Sequence, residues 1–207
     1  MPPSDRGPGL CRAIWQIALQ GSRGWDAQCG QRWIAICFVT ATLLGPRQIF
    51  HDPAYAQIVL DSLDWHRCRG RRSLYAYVLM PNHVHTIVKP AEAQTISSVL
   101  QWFGSFTAHA ILGRLEGDGR DELLAFFAKR QGRDARKQHQ IWQPIQSKNV
   151  YSVAFLREKL EYVHNNPVAK QWRLAEDRAA YRYSSACFYD KGLPPIVEVD
   201  DVRAWLV

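Results

Sequence analysis

The chain has 207 residues, a formal net charge of +7 and a pI of about 9.3, with 47% hydrophobic and 12% aromatic residues. This composition excludes an intrinsically disordered chain, and the length suffices for one domain with a hydrophobic core. The basic excess is compatible with a polyanionic partner such as a nucleic acid.

The cysteine pattern and the apolar segments indicate the compartment. No Cys-x-x-Cys pair is present, which argues against a disulfide framework and fits a reducing environment. The N-terminal segment lacks a basic stretch followed by an apolar one, so we expect no signal peptide. The longest apolar run, 34–44, is too short to span a bilayer. We therefore expect a cytoplasmic protein without a membrane partner.

Hydrophobic periodicity and breakers predict elements in the order β-α-β-β-α-β-α. Asp52 and Pro53 suit the N-cap and first position of the first helix, Ser152 caps the last helix, and Pro167 ends it. The predicted strands are 32–44, 73–80, 83–90 and 141–151, and the predicted helices are 53–68, 95–115 and 153–166.

This order predicts an α+β fold. Its first six elements match the ferredoxin-like split β-α-β arrangement, an antiparallel sheet with helices on one face. We expect a loosely attached N-terminal arm at 1–30, the domain proper at 31–190, and a C-terminal tail at 191–207. The charged, glycine-punctuated stretch at about 116–140 is predicted to be an insertion, part helix and part solvated linker.

Two histidines stand two positions apart in the apolar segment 75–90, directly after Pro81-Asn82. Because side chains alternate along a strand, His83 and His85 share one face and are spaced to bind one metal ion. A His-x-His pair taken alone is more often two partly exposed strand histidines. A metal site therefore needs a further ligand from elsewhere in the chain.

The last predicted helix offers such a residue. Tyr162 and Asn166 are four positions apart and so lie on one helix face. The apolar stripe of Leu156, Leu160 and Val163 should dock on the sheet, with Tyr162 beside it and facing the strand. Without the histidines, Tyr162 would be an ordinary boundary aromatic and Asn166 a helix C-cap.

The segments MPNHVHTIV and LEYVHNNPV, in this order, closely resemble the REP-associated tyrosine transposases. These belong to the single-tyrosine HUH nucleases, named for a His-hydrophobic-His motif. The resemblance covers about residues 31–190 and extends to FGSFTAHAI, to Trp142-Gln143 and to YRYSSACFY. It implies the HUH-nuclease form of the ferredoxin-like fold.

The resemblance also implies a chemistry and its residues. His83, His85 and Asn166 would hold a divalent metal, Mg²⁺ or Mn²⁺, and Tyr162 would be the nucleophile. Attack on single-stranded or hairpin-flanked DNA would leave a 5′-phosphotyrosine link, and so permit cleavage and rejoining without an external energy source. We expect the protein to act as a monomer or a homodimer.

The segment HRCRGRRS, 66–73, is a candidate phosphate-binding turn, although a solvated basic loop is an equal alternative. Its cations are Arg67, Arg69, Arg71 and Arg72. The sequence leaves two competing functions open. One is a catalytically dispensable hairpin-DNA-binding protein, such as a domesticated transposase, and the other is a metal-binding regulatory domain unconnected to DNA.

Overall fold

The computed structural model of the protein describes residues 36–128 and 139–206. The predicted arm at 1–30 and most of the linker half of the insertion therefore lie outside the described residues. Four strands form one antiparallel sheet in the order β2-β3-β1-β4. They are β1 (Cys37–Thr42), β2 (Arg72–Met80), β3 (His83–Pro90) and β4 (Gln146–Asn149).

The sheet topology confirms the predicted α+β class. Strands β1 and β2 both run antiparallel to β3, which lies between them, so they are the parallel outer pair of a split β-α-β unit. Strand β4 pairs only with β1 and stands at one edge, with all four of its residues exposed. The strand is shorter than the predicted segment 141–151, and Pro144 lies before it rather than within it.

Helices α1 (Pro53–Cys68) and α2 (Ile96–Gly117) begin at well-formed caps. The Asp52 side chain accepts a hydrogen bond from the backbone N–H of Ala54, and Thr95 forms a capping box with Ser98. Helix α2 runs unbroken through Gly104. A Cβ there would stand 3.1 Å from a methyl carbon of Ile145, so the glycine permits close packing.

The two faces of the sheet carry separate apolar cores. Helices α1 and α2 cover one face, where they pack on strand residues such as Val39 and Leu79. Helix α4 (Val153–Asn165) covers the opposite face with its predicted stripe, which packs on residues such as Phe38 and Val78. Helices α1 and α2, which belong to the first six predicted elements, therefore share one face of the sheet. Helix α4, the seventh, covers the opposite face.

The free edge of β2 is covered by the segment that follows α4. The backbone N–H of Leu79 donates to the carbonyl of Tyr183, and the N–H of Ser185 donates to the carbonyl of Tyr77. Further along, the N–H of Asp200 donates to the carbonyl of Leu74. Residues beyond 190 are therefore bonded to the sheet edge, so the folded domain extends past the predicted boundary.

The remaining elements are short. Helix α3 (Asp121–Phe127) forms the helical part of the predicted insertion, and helix α5 (Ala186–Lys191) follows the β2 edge segment. Single 3-10 turns occur at Ile49–His51, Asn166–Val168, Arg178–Ala180 and Arg203–Trp205. Among the described residues, none of the helices has the length and apolar character needed to cross a bilayer.

Candidate active site

A tight turn between β2 and β3 presents the two histidines. The carbonyl of Asn82 accepts a hydrogen bond from the backbone N–H of Leu43, and the carbonyl of Pro81 accepts one from Phe50. The turn is thereby fixed to the end of β1 and to the segment after it. His83 is the first residue of β3 because the turn ends there.

Strand register places both imidazoles on the α4 face of the sheet. His85 stands opposite Thr40 of β1 and Val78 of β2, and the ring of His85 stacks on Phe38 with 5.3 Å between centroids. The ring of His83 lies 4.7 Å from that of His85. His85 is only 4% exposed. His85 therefore belongs to the buried part of this face of the sheet.

Each imidazole is oriented by a hydrogen bond at Nδ1. Nδ1 of His83 lies 2.7 Å from Oδ1 of Asn82, and Nδ1 of His85 lies 2.9 Å from Oγ1 of Thr40. Because an amide oxygen only accepts, Nδ1 of His83 carries the proton and Nε2 carries the lone pair. Partners of this kind fix the tautomer and the ring orientation of metal-binding histidines.

The electrostatics of the pair favour neutral imidazoles. Burial lowers the pKa of His83 to about 4. Burial also lowers the pKa of His85 to about 3, with smaller contributions from His83 and from the Lys159 ammonium. Both rings are therefore neutral near pH 7 and have a nitrogen lone pair available for coordination.

Helix α4 brings Tyr162 to this pair. The hydroxyl oxygen of Tyr162 lies 3.5 Å from Nε2 of His85, and the two rings are 5.1 Å apart in an edge-to-face arrangement. The ring of Tyr162 also meets Phe38 edge-on at 5.8 Å. The side chain remains 47% exposed, so its hydroxyl is accessible to a large substrate. A phenolic hydroxyl and two imidazoles with free nitrogen lone pairs thus share one surface.

Asn166 lies one helical turn beyond Tyr162 and is 7% exposed. It adopts an α conformation despite the following Pro167, because the chain tightens there into the 3-10 turn Asn166–Val168. Its side-chain nitrogen donates to the carbonyl of Tyr162 at 3.5 Å. The amide oxygen is the atom with which Asn166 could bind a cation.

Three further residues, His164, Tyr181 and Tyr151, do not join the histidine pair. Nε2 of His164 lies 3.0 Å from Oγ of Ser185 in the buried core, so this ring faces away from the histidine pair. Tyr181 donates its hydroxyl to the carbonyl of Leu79, and burial raises its pKa to about 12. Tyr151 is 71% exposed and stacks on Phe155.

Sequence reasoning did not identify several neighbours of the site. Thr40 orients His85, and Phe38 contacts both His85 and Tyr162. Lys159 lies three residues before Tyr162, a helical spacing that would have placed the two side by side. The ring of Trp172 lies 5.5 Å from His83. No short-range signal marks Thr40, Phe38 or Trp172.

The structure separates the four predicted DNA-binding arginines. Arg72 is buried and donates to the carbonyl of Leu63 at 3.5 Å, and burial lowers its pKa to about 10. Arg67 forms ion pairs with Glu198 and Asp200. The cations of Arg67 and Arg72 thus act within the fold, whereas Arg69 is exposed and Arg71 half-buried.

The exposed part of this cluster forms a corner with aromatic side chains on the α1–α2 face. The Arg71 guanidinium lies 4.5 Å from the ring of Trp65 and 4.4 Å from that of Trp102, and Arg69 lies 5.4 Å from Trp65. Trp65, Arg71 and Trp102 line a cavity of about 370 Å³. Arg72 begins β2 at the end of the β2–β3 ladder opposite His83, so this corner is remote from Tyr162.

Comparisons with known proteins bear on the fold. No protein-family model matches the chain, and no similar protein was found among curated proteins. A solved structure described as a REP-associated tyrosine transposase bound to a REP hairpin does match, with 20% sequence identity and a TM-score of 0.55. The match covers 86% of this chain and 93% of that one. The chain therefore shares the fold of a tyrosine transposase of the HUH type.

Proposed function

We propose that the protein is a DNA strand transferase, a tyrosine transposase in which Tyr162 is the nucleophile. The observation that carries the proposal is the 3.5 Å approach of the Tyr162 hydroxyl to Nε2 of His85, beside a second imidazole. A nucleophile next to two neutral nitrogen ligands fits metal-assisted phosphoryl transfer. The fold shared with a tyrosine transposase supports the same assignment.

The residues of the site fit a divalent metal. His83 and His85 would bind it through Nε2, because Nδ1 of each ring is already held by an oxygen atom. Asn166 would add its amide oxygen. No cluster of three His, Cys, Asp or Glu side chains occurs within 36–128 and 139–206, so water or phosphate would complete the coordination. When bound, Mg²⁺ or Mn²⁺ would neutralise charge on the non-bridging phosphate oxygens.

The remaining chemistry belongs to the tyrosine. Oη of Tyr162 would attack the phosphorus, which forms a phosphotyrosine bond, and the bond to the 3′ oxygen would break. The phenolic proton passes from the attacking oxygen to solvent, and the departing 3′ oxygen takes up a proton from solvent. The phosphate remains esterified, now to Tyr162. A 3′-hydroxyl of DNA can therefore attack it in a second step, which releases the tyrosine and joins a strand.

The proposed substrate is single-stranded or hairpin-flanked DNA. The phosphate must reach a hydroxyl on the protein surface, which a splayed single strand permits more readily than smooth duplex. The corner formed by Arg69, Arg71, Trp65 and Trp102 combines cations with aromatic faces on the opposite side of the sheet. That corner is the proposed second contact with DNA, in addition to the strand at Tyr162.

A covalent-adduct assay tests the proposal. Purified protein is incubated with end-labelled oligonucleotides that carry a hairpin and single-stranded flanks, in the presence of Mn²⁺ or Mg²⁺. We expect a protein–DNA species that survives boiling in detergent, with the nucleotide on the peptide that contains Tyr162. Absence of any adduct across a panel of hairpins with either metal would reject the strand-transferase assignment.

A hairpin-binding protein without catalysis is the second candidate. The basic and aromatic corner on the α1–α2 face favours it, since that corner would bind DNA whether or not Tyr162 reacts. The two candidates differ in one measurable outcome. The binding protein would retain hairpin affinity and yield no adduct under any metal condition.

A further inference from the structure

The face of α4 that carries Tyr162 continues as a row of related side chains. Phe155, Lys159 and Tyr162 follow one another at helical spacing, so they stand in line along the helix. The ammonium of Lys159 lies 4.9 Å from the ring of Phe155 and 5.6 Å from the ring of Tyr162. The row therefore leads directly from the nucleophile toward the start of α4.

The row is extended by an exposed aromatic stack. Tyr151 precedes α4, and its ring lies parallel to that of Phe155 with 4.6 Å between centroids and 14° between planes. Tyr151 is 71% exposed, the highest exposure of any large hydrophobic side chain among the described residues. A large exposed ring stacked on a partly buried one leaves its outer face available to a planar partner.

The edge strand supplies a second cation beside this row. Lys148 of β4 stands opposite Phe38 of β1 in the antiparallel ladder, so it lies on the face of the sheet that α4 covers. The ring of Phe38 in turn lies 5.5 Å from the Lys159 ammonium. We call Lys148, Tyr151, Phe155 and Lys159 the α4 strip.

The charges around the strip limit what it can bind. Lys159 donates a hydrogen bond to the carboxylate of Glu158 at 2.7 Å; the Lys159 side chain is 17% exposed and that of Glu158 is 63% exposed, so a phosphate would compete with a mobile, solvated carboxylate for the ammonium. Lys148 and Tyr151 are exposed. Two cations thus lie on either side of a stacked pair of rings, and offer sites for phosphate next to one exposed, flat, apolar face.

We propose that the α4 strip binds the single-stranded DNA segment next to the scissile phosphate, with an unpaired base on the outer face of Tyr151 and backbone phosphates on Lys159 and Lys148. This inference rests on the proposed function and adds the course of the strand. An unpaired strand fits better than duplex, because only unpaired bases expose a face for stacking. A peptide partner is disfavoured, since the four side chains of the strip are two cations and two aromatic rings, with no aliphatic side chain among them.

Equilibrium binding to an unreactive protein tests the strip apart from catalysis. Fluorescence anisotropy of labelled oligothymidylate is measured on a Tyr162→Phe background, without metal. We expect Tyr151→Ala to weaken binding by about tenfold, as for the removal of one base–aromatic stack. Leu193→Ala is the control, because Leu193 is 54% exposed just after α5, near the β2 edge of the sheet, and lines neither the α4 strip nor the basic and aromatic corner.

The contribution of Lys159 can be measured from the salt dependence of binding. Lys159→Gln should reduce the slope of log affinity against log salt by about 0.7, the value for one phosphate contact on a single strand. Lys170→Gln, an exposed lysine beyond the end of α4, should leave the slope unchanged. The strip variants and the controls should all have the same affinity for a hairpin that lacks single-stranded flanks.

The outcomes separate the strip from the proposed function. If Tyr151→Ala and Leu193→Ala bind oligothymidylate equally, and Lys159→Gln keeps the parental salt slope, the proposed role of the strip is rejected. If the strip variants bind more weakly while wild type forms no adduct in the separate assay, the strand-transferase assignment fails and the strip stands. Tyr151 is mostly exposed, so its replacement should not disturb folding, which circular dichroism would verify.

Discussion

The hydroxyl of Tyr162 and Nε2 of His85 lie 3.5 Å apart, although 77 residues separate them in the chain. The contact exists because α4 docks on the face of the sheet toward which β3 directs its two histidines. It places the proposed nucleophile at Nε2, the ring nitrogen that Thr40 does not engage. Changes to the tyrosine, to the histidines and to Thr40 should therefore have separable effects.

Replacement of Tyr162 by phenylalanine removes one oxygen atom and little packing. We expect Tyr162→Phe to abolish the covalent adduct and the strand nick, while Mn²⁺ affinity and hairpin affinity stay within about twofold of wild type, since every metal ligand and phosphate-binding group remains. Tyr181→Phe is the control, because the Tyr181 hydroxyl is occupied by the carbonyl of Leu79. An adduct on the Tyr162→Phe protein would identify another tyrosine as the nucleophile.

Thr40 should control the metal through His85. Thr40→Val preserves the shape of the side chain and removes the oxygen that orients Nδ1, so Mn²⁺ affinity should fall about 10- to 100-fold. Thr86→Val is the matched control, because Thr86 follows His85 in β3 and faces the other side of the sheet. Isothermal titration of Mn²⁺ provides the measurement, and equal affinities for the two variants would contradict an orienting role.

Direct removal of the histidines should also remove the metal. We expect His83→Asn to abolish measurable Mn²⁺ binding with little change in stability, since His83 is only partly buried. His85→Ala would in addition leave a void beside Phe38, which costs stability as well as binding. Titration and thermal unfolding of each variant distinguish the two effects. Undiminished Mn²⁺ binding by both would exclude the pair as ligands.

The arginine cluster should divide into two functional classes. Arg69→Gln with Arg71→Gln should reduce the salt slope of hairpin binding by about 0.7 to 0.9 for each phosphate interaction that the change removes, with stability unchanged. Arg67→Gln should instead destabilise the fold by about 3 kcal/mol, because it leaves the carboxylate of Asp200 buried without its cation. Salt-dependent anisotropy and urea unfolding measure the two effects. A reversed pattern would return Arg67 to the DNA-contacting class.

Stability should decrease as the pH is lowered. Burial lowers the pKa of His66, His83 and His164 to about 4 and that of His85 to about 3, so the unfolded chain takes up protons first. The stabilisation is fully present above about pH 6.5 and is lost as the pH falls toward 4. Each group contributes about 1.4 kcal/mol per pH unit within that window.

A single variant isolates one of these groups. His66→Phe keeps a ring next to Trp102, on which His66 stacks, and removes its titration. The slope of unfolding free energy against pH, measured by urea unfolding, should then decrease by about 1.4 kcal/mol per pH unit, the contribution of one titrating group. A pH dependence identical to that of wild type would show that His66 does not titrate on unfolding.

The sequence by itself determined the local elements. Asp52 with Pro53, Thr95, and Ser152 mark where helices begin, because an N-cap satisfies exposed N–H groups within a few residues. Alternation along β3 likewise placed His83 and His85 on one face. These signals act between near neighbours, so a linear pattern contains them. The order of elements also sufficed for the ferredoxin-like class.

Only the tertiary structure decided which residues meet across the chain. The proximity of Tyr162 to His85, the orienting bond from Thr40, and the burial of His85 on Phe38 depend on strand register and on the face that α4 covers. Tertiary packing also decides which arginines act within the fold and which remain available to DNA. Arg67 is held by Asp200, a residue in the C-terminal segment that binds the edge of β2. Contacts between distant segments are fixed by packing, and no local pattern records them.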